Sequence, residues 1–123
     1  MKELNIIDNF MDEREFRNYI ASFLDKKGFT DIEIEDARIS DEDEINNNDL
    51  FAKKEGVRYT IQVFLNEEIK KSHIKETKED MSVENVSNAI IVTNKVVEQN
   101  ILDMAKNEGI EIWDRNYLMN ELD

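Results

Sequence analysis

Apolar side chains recur along the chain with two different periods, and these periods predict its helices and strands. Residues 12–29 place apolar side chains at helical spacing from Phe16 to Leu24, which predicts an amphipathic helix. Asp12 is a suitable N-cap for this helix, with Glu15 three residues later. Gly28 stands where a glycine commonly ends a helix. The segment therefore has the signals of a complete helix.

Alternating apolar and polar residues predict strands in the next part of the chain. Residues 31–39 alternate isoleucine with acidic side chains, which indicates a strand with one exposed face. Residues 49–65 form two such segments around Glu55 and Gly56, which predicts a hairpin. Between them, residues 40–48 have turn composition and too much charge to be buried.

The second half of the chain alternates helices and strands. Residues 66–81 predict a mostly exposed helix, residues 95–109 an amphipathic helix and residues 115–122 a terminal helix. The apolar run 88–94 is typical of a buried central strand, and residues 110–113 predict a last short strand.

The resulting order is α-β-β-β-α-β-α-β-α, and no element is assigned to residues 1–11. It predicts one α/β domain over residues 1–123, with helices flanking a mixed sheet.

Composition narrows the class of protein. The 123 residues include no cysteine, so disulfides, zinc–thiolate sites and thiol nucleophiles are excluded. No stretch approaches the roughly 18 apolar residues that cross a membrane. No apolar segment follows a basic start, so we expect no signal peptide. A cytoplasmic protein without membrane contact is the expectation.

Charge is distributed unevenly within a net charge of −13. Residues 1–50 carry 6 basic and 15 acidic side chains, whereas residues 51–80 carry 7 and 6. Residues 81–123 carry 3 and 8. A nucleic-acid-binding protein usually presents a basic face, because neutralisation of phosphates supplies most of its affinity. Only the middle third of this chain could provide such a face.

Several segments together resemble the Mrr-type branch of the restriction-endonuclease-like superfamily, across residues 12–122. The first helix ends in a Gly-aromatic pair, LDKKGF, and Asp49 begins a strand in NNNDLFA. The next strand, YTIQVF, matches the Gln-x-Lys variant of the family's acid-x-Lys motif. The family's closing strand, helix and strand are matched by AIIVTN, NILDMAKNEGI and EIWDRNYLMNEL. The resemblance implies a restriction-endonuclease-like αβββαβ core.

The resemblance also implies a magnesium-dependent phosphodiesterase site, in which two acids hold the metal and a lysine orients the attacking water. By this resemblance Asp49 is the metal-binding acid and Gln62 replaces the second acid. Phe64 stands at the lysine position, and Arg17 stands where some branches carry a glutamate on the first helix. We therefore expect a degenerate site, inactive or weakly active, with no cofactor. Magnesium is expected only if activity persists.

One alternative keeps the enzyme active through a lysine supplied by a neighbouring element. The candidates, which are also candidate nucleic-acid contacts, are Lys53, Lys54, Lys71, Lys75 and Lys78. The last three form a stripe on one predicted helix face. The competing interpretation is a solvated face in which these lysines pair with Glu67 and Glu79. The only histidine, His73, is interpreted as a surface or half-buried residue rather than a catalytic base.

Two further readings avoid catalysis altogether. Residues 63–105 also resemble the nuclease-like jaw domain of the RNA polymerase subunit shared by the eukaryotic nuclear enzymes, which implies non-catalytic use of the fold. A small acidic protein could instead mimic nucleic acid, through the run 41–44 and the acidic strand face around Glu33, Glu35 and Asp36. The functional hypothesis is a binding or assembly module in nucleic-acid metabolism, with a protein or nucleic-acid partner.

The degenerate site yields one specific structural hypothesis. If the first helix brings residue 17 close to Asp49, a direct Arg17–Asp49 ion pair could take the place of the metal. The alternative is that Arg17 points to solvent among the acidic residues of its own helix.

Overall fold

Within residues 12–34 and 49–122, a mixed sheet of five strands packs against two helices on each face. The structure, a computed structural model, describes residues 12–34 and 49–122. In chain order the elements are α1 (Glu13–Lys26), β1 (Thr30–Ile34), β2 (Asp49–Lys54), β3 (Val57–Phe64), α2 (Lys71–Glu84), β4 (Asn88–Thr93), α3 (Gln99–Asn107), β5 (Ile110–Trp113) and α4 (Arg115–Leu122). This order confirms the predicted α/β fold class.

The strands lie in the order β1-β2-β3-β4-β5, which is also their order in the sequence. The first three pair antiparallel, and β3, β4 and β5 pair parallel. Helices α2 and α3 supply the crossovers that parallel neighbours require. The sheet is therefore mixed, as the hairpin followed by βα units predicts.

One face of the sheet packs against α1 and α4. Phe16, Ile20 and Leu24 of α1 and Leu118 of α4 are fully buried in this core, together with Ile61 of β3. The N-cap of α1 is the predicted one, because the Asp12 carboxylate accepts a hydrogen bond from the Glu15 amide. Gly28 follows the helix with a φ of 97°, a conformation that favours glycine.

The other face packs against α2 and α3. Its core includes Ile74 and Met81 of α2, Ile91 of β4 and Ile101 and Ala105 of α3. Even-numbered residues of β3 point toward this face, because successive side chains of a strand alternate. Thr60 and Gln62 are consequently buried beneath α2, whereas Ile61 and Val63 join the opposite core.

Helix α2 differs from its prediction. It spans residues 71–84 rather than 66–81, and most of its side chains are exposed as predicted, but one stripe is buried. Its buried side chains are His73, Ile74, Thr77 and Met81. Two of these four are polar, so the buried stripe does not stand out in a pattern of apolar residues.

Some predictions fall on residues outside those described. These are the absence of an element in 1–11, the continuation of β1 to residue 39, the turn at 40–48, and the acidic residues Glu35, Asp36 and 41–44. Across the described ranges, no helix combines the length and apolar character needed to cross a membrane.

Candidate functional site

The two residues that the sequence analysis placed at a metal site face each other across a strand pair. Asp49 begins β2 and is the direct register partner of Gln62 in β3. Antiparallel partners project to the same side of a sheet, with Cβ atoms about 4.5–5.5 Å apart. Sequence reasoning thus identified a true neighbour relation between residues 13 positions apart.

Gln62 is held by two side chains of α2. Its Oε1 atom accepts a hydrogen bond from Thr77 Oγ1 at 2.5 Å, and its Nε2 atom donates to Asp80 Oδ2. Gln62 is only 7% exposed and Thr77 is fully buried. Because the carboxylate of Asp80 can only accept when ionised, it fixes which end of the amide faces it. The amide oxygen is therefore directed to Thr77.

Phe64, at the position of the expected lysine, is used for packing. Its ring meets the His73 ring edge-to-face, with centroids 4.9 Å apart. His73 is buried rather than a surface residue, and its Nδ1 atom accepts a hydrogen bond from the Lys70 amide at 2.9 Å. Nε2 lies 2.9 Å from Glu67 Oε2, so it carries the proton and donates. Both ring nitrogens are thus engaged in ordering the start of α2.

Neither hypothesis for Arg17 is correct. The ion pairs within the described part of the chain do not include an Arg17–Asp49 pair. Arg17 does not extend into solvent either, since it is 8% exposed. Its Nη2 atom donates to Asn18 Oδ1 at 3.2 Å. The physical reason is the side of the sheet: α1 packs against the face of Ile61, whereas Gln62 points to the opposite face.

Two acidic residues near these strands were missed by sequence reasoning. Glu13, one helical turn before Arg17, reaches the end of β3, where its Oε2 atom accepts from the Leu65 amide at 3.1 Å. Asp80 follows Thr77 by three residues on α2 and contacts Gln62. The spacing of 77 and 80 was a usable signal, because residues three apart share a helix face. It was obscured by the interpretation of this helix as mostly exposed.

The two hairpin lysines are not placed to replace the missing lysine. Lys53 lies four residues from Asp49 along β2, about 13 Å at the usual rise per residue. Its Nζ atom is 3.8 Å from Asp31 Oδ2. Lys54 Nζ lies 5.3 Å from the centroid of the Phe29 ring, a residue of the opposite core.

The three lysines of α2 also lie away from Gln62. Lys71, Lys75 and Lys78 line a groove between α2 and α3, on a different side of the helix from Thr77 and Asp80. The expected pairing with Glu67 and Glu79 is wrong for Lys78, whose Nζ atom lies 3.3 Å from Glu108 Oε1. Glu67 instead contacts His73.

These side chains do not fit a magnesium ion. Magnesium prefers octahedral oxygen ligands and gives up its water reluctantly, so proteins usually bind it through carboxylates. Here the Gln62 oxygen already accepts from Thr77, and the Gln62 NH₂ group is a donor toward Asp80. Within residues 12–34 and 49–122, no three His, Asp or Glu side chains are grouped closely enough to hold a metal ion.

Comparison with known proteins agrees with this topology. A family model described as "Restriction endonuclease", the Mrr catalytic domain, matches residues 8–122. The chain belongs to the Mrr-type restriction-endonuclease family. Among solved structures, it is similar to the crystal structure of a protein of unknown function, AF1548. The TM-score is 0.66 and the identity 16%, over 90% of this chain and 67% of the other. No curated protein matches the chain.

Membership of the Mrr-type family confirms the resemblance drawn from the sequence motifs, and the structural neighbour confirms the fold. The match covers the strands that carry Asp49 and Gln62. The candidate site therefore lies within the matched region of the chain, and the contacts of Gln62 there are hydrogen bonds to Thr77 and Asp80.

Proposed function

We propose that this Mrr-type domain has lost metal-dependent DNA cleavage and acts as a binding or assembly module in nucleic-acid metabolism. The observation that carries the proposal is the Gln62–Thr77–Asp80 network. A glutamine that bound magnesium would present its oxygen to the metal, but here Thr77 holds that oxygen. The same network orders α2 over β3, so it is a structural substitute for the ligands of an active site.

The position of Phe64 supports the proposal independently. An aromatic ring can neither orient an attacking water nor offset the negative charge that develops on a phosphoryl group. The ring also fills space beside His73, and it packs against the core formed by α2 and α3. A lysine at this position would lose that contact. The substitution thus removes a catalytic group and adds a packing group.

A plasmid-cleavage assay tests the loss of activity. Supercoiled DNA is incubated with the full chain and Mg²⁺ or Mn²⁺, in parallel with the Asp49→Ala variant. We expect both proteins to give the same background of nicked DNA. Metal-dependent cleavage by the wild type that Asp49→Ala abolishes would overturn the proposal and establish an active endonuclease.

A binding measurement addresses the metal directly. The backbone amides of residues 49 and 62 are followed by NMR while Mg²⁺ is titrated into the protein. We expect shifts no larger than those of acidic surface residues such as Glu98 and Asp103. Saturable binding centred on Asp49 at millimolar metal would show that the site remains open.

A further inference from the structure

A groove between α2 and α3 is one of the cavities that the sequence-derived site does not use. It has a volume of about 410 Å³ and lies on the outer side of the two helices. Its lining comes from α2 (Lys71, Ile74, Lys75, Lys78, Glu79) and from α3 and its C-cap (Met104, Glu108). These residues define the α2–α3 groove.

The floor of the α2–α3 groove is apolar. Ile74 is nearly buried and belongs to the core of this face, and Met104 packs beside it. Methionine is flexible and polarisable, which suits it to contact with varied apolar partners.

The rim of the α2–α3 groove is basic in a protein whose net charge is −13. Lys78 is neutralised by Glu108, whose Oε1 atom lies 3.3 Å from Lys78 Nζ. Lys71 and Lys75 are exposed, and the ion pairs found within residues 12–34 and 49–122 include neither of them. One helical turn separates them, so two lysines that lie outside these ion pairs are neighbours beside the apolar floor.

We propose that the α2–α3 groove binds an acidic amphipathic helix of a partner protein. This inference rests on the proposed function, because it names the partner and surface of a domain that acts by binding. A helix laid in a groove inserts apolar side chains spaced three or four residues apart. Ile74 and Met104 would meet those side chains, and carboxylates one turn apart on the partner would face Lys71 and Lys75.

The same features argue against nucleic acid in this groove. Nucleic-acid binding relies on several phosphate contacts, and single strands also stack their bases on aromatic rings. The α2–α3 groove has two lysines outside the described ion pairs, two glutamates in its lining and no aromatic lining residue. Duplex phosphates would gain nothing from an apolar floor. A partner with both apolar and acidic side chains complements the apolar floor and the two lysines.

The probe is a phage-displayed library of random peptides about 16 residues long, enough for four helical turns. It is selected against the full chain, and enriched peptides are measured by fluorescence anisotropy. We expect enrichment of acidic sequences with apolar residues at helical spacing. The double variant Lys71→Glu/Lys75→Glu should weaken their binding about tenfold or more, since two attractive contacts become repulsive.

The matched control is Lys95→Glu/Lys106→Glu, which reverses two exposed lysines outside the groove and leaves the net charge equal to that of the test variant. Its binding should match that of the wild type, and circular dichroism should show both variants folded. Enrichment of no acidic peptide, or binding insensitive to Lys71→Glu/Lys75→Glu, would overturn the proposal. A duplex DNA that binds the wild type and is lost in that variant would overturn it in favour of nucleic acid.

Failure of this inference is distinguishable from failure of the proposed function. Cleavage that depends on Asp49 would overturn the loss of activity, and it would leave peptide binding to the groove unchanged. Conversely, peptide binding that is insensitive to Lys71→Glu/Lys75→Glu would overturn the groove proposal alone, because the cleavage assay compares the wild type with Asp49→Ala and does not involve these lysines.

Discussion

The two faces of the sheet are built by different means. The face under α1 and α4 is held by apolar side chains and aromatic rings, with Trp113 stacked on Tyr117 at a centroid distance of 5.1 Å. The face under α2 and α3 buries polar side chains as well, among them Gln62 and Thr77, which must be paired by directed hydrogen bonds.

This difference explains where the family's chemistry could change without loss of the fold. Apolar packing on the α1 and α4 face is independent of the residues around Asp49. On the other face, an altered site still had to satisfy each buried polar group. The Gln62–Thr77–Asp80 network does so with protein side chains. Under the proposed function, stabilising contacts would have replaced ligands at this site.

The largest predicted effect is on the apolar face. Phe16 is fully buried in the core between α1 and the sheet, so Phe16→Ala should lower the free energy of unfolding by about 3–5 kcal/mol. Urea denaturation measures the change. Val83→Ala, at the most exposed apolar side chain of α2, is the control and should alter stability by less than about 0.5 kcal/mol. A loss under about 1 kcal/mol for Phe16→Ala would contradict this account of the core.

The next effect tests the polar face. Gln62→Leu removes the acceptor of the buried Thr77 hydroxyl, and it should destabilise the protein by about 1–3 kcal/mol. Adding Thr77→Val should recover part of the loss, because the unpaired hydroxyl is then also removed. Chemical denaturation of the single and double variants gives the coupling. Strictly additive losses would show that the hydrogen bond does not join these two residues.

How much the sequence predicts also differs between the two faces. The stripe from Phe16 to Leu24 predicts α1 and its caps, because apolar periodicity directly reports burial. The same rule does not detect the buried stripe of α2, because His73 and Thr77 are polar and are buried through hydrogen bonds. The register of Asp49 with Gln62 followed from the family motifs. The role of Asp80 did not, since only the packing of α2 on β3 brings it to Gln62.

A mid-sized effect concerns Lys27, a cation that joins α1 to α4 on the apolar face. Lys27 Nζ donates to Tyr117 Oη at 3.0 Å and to Glu121 Oε1 at 2.8 Å, and it lies 5.3–5.7 Å from three ring centroids. Lys27→Met keeps the apolar stem and loses these contacts. We expect a loss of about 1–2 kcal/mol by thermal denaturation. Lys26→Met, at the adjacent exposed lysine, should have no measurable effect.

The pH dependence sharpens this prediction. The hydrogen bond to Glu121, followed by that to Tyr117, raises the pKa of Lys27 above its ordinary value of 10.5. A raised folded-state pKa means that the contribution is complete below 10.5 and is lost as the pH rises through the folded-state value. Burial similarly raises the pKa of Tyr59 above 10.0, which adds to the loss at alkaline pH. Wild-type stability should therefore fall above about pH 10. In Lys27→Met, only the part of this fall that is due to Tyr59 should remain.

The smallest predicted effect asks whether the polar face can be returned to a metal site. Gln62→Glu would place a carboxylate between Asp49, its strand partner, and Asp80, its hydrogen-bond partner. Three adjacent carboxylates repel each other when ionised, and a divalent cation relieves that repulsion. We expect the variant to be less stable than the wild type without metal. If Mg²⁺ binds with a Kd of about 1 mM, 10 mM should restore about 1.4 kcal/mol.

Thermal denaturation with and without Mg²⁺ measures this gain, with ionic strength held constant. Wild-type stability should not respond to Mg²⁺. In the wild type the Gln62 NH₂ group, a hydrogen-bond donor, lies beside Asp80 where Gln62→Glu would place a carboxylate. Gln62→Glu combined with Asp80→Asn is the matched control, and it should lose most of the response. This requirement for Asp80 separates the present site from one completed by Arg17, since α1, which carries Arg17, packs against the opposite face of the sheet. An equal Mg²⁺ response with and without Asp80 would show that the network is not what closes the site.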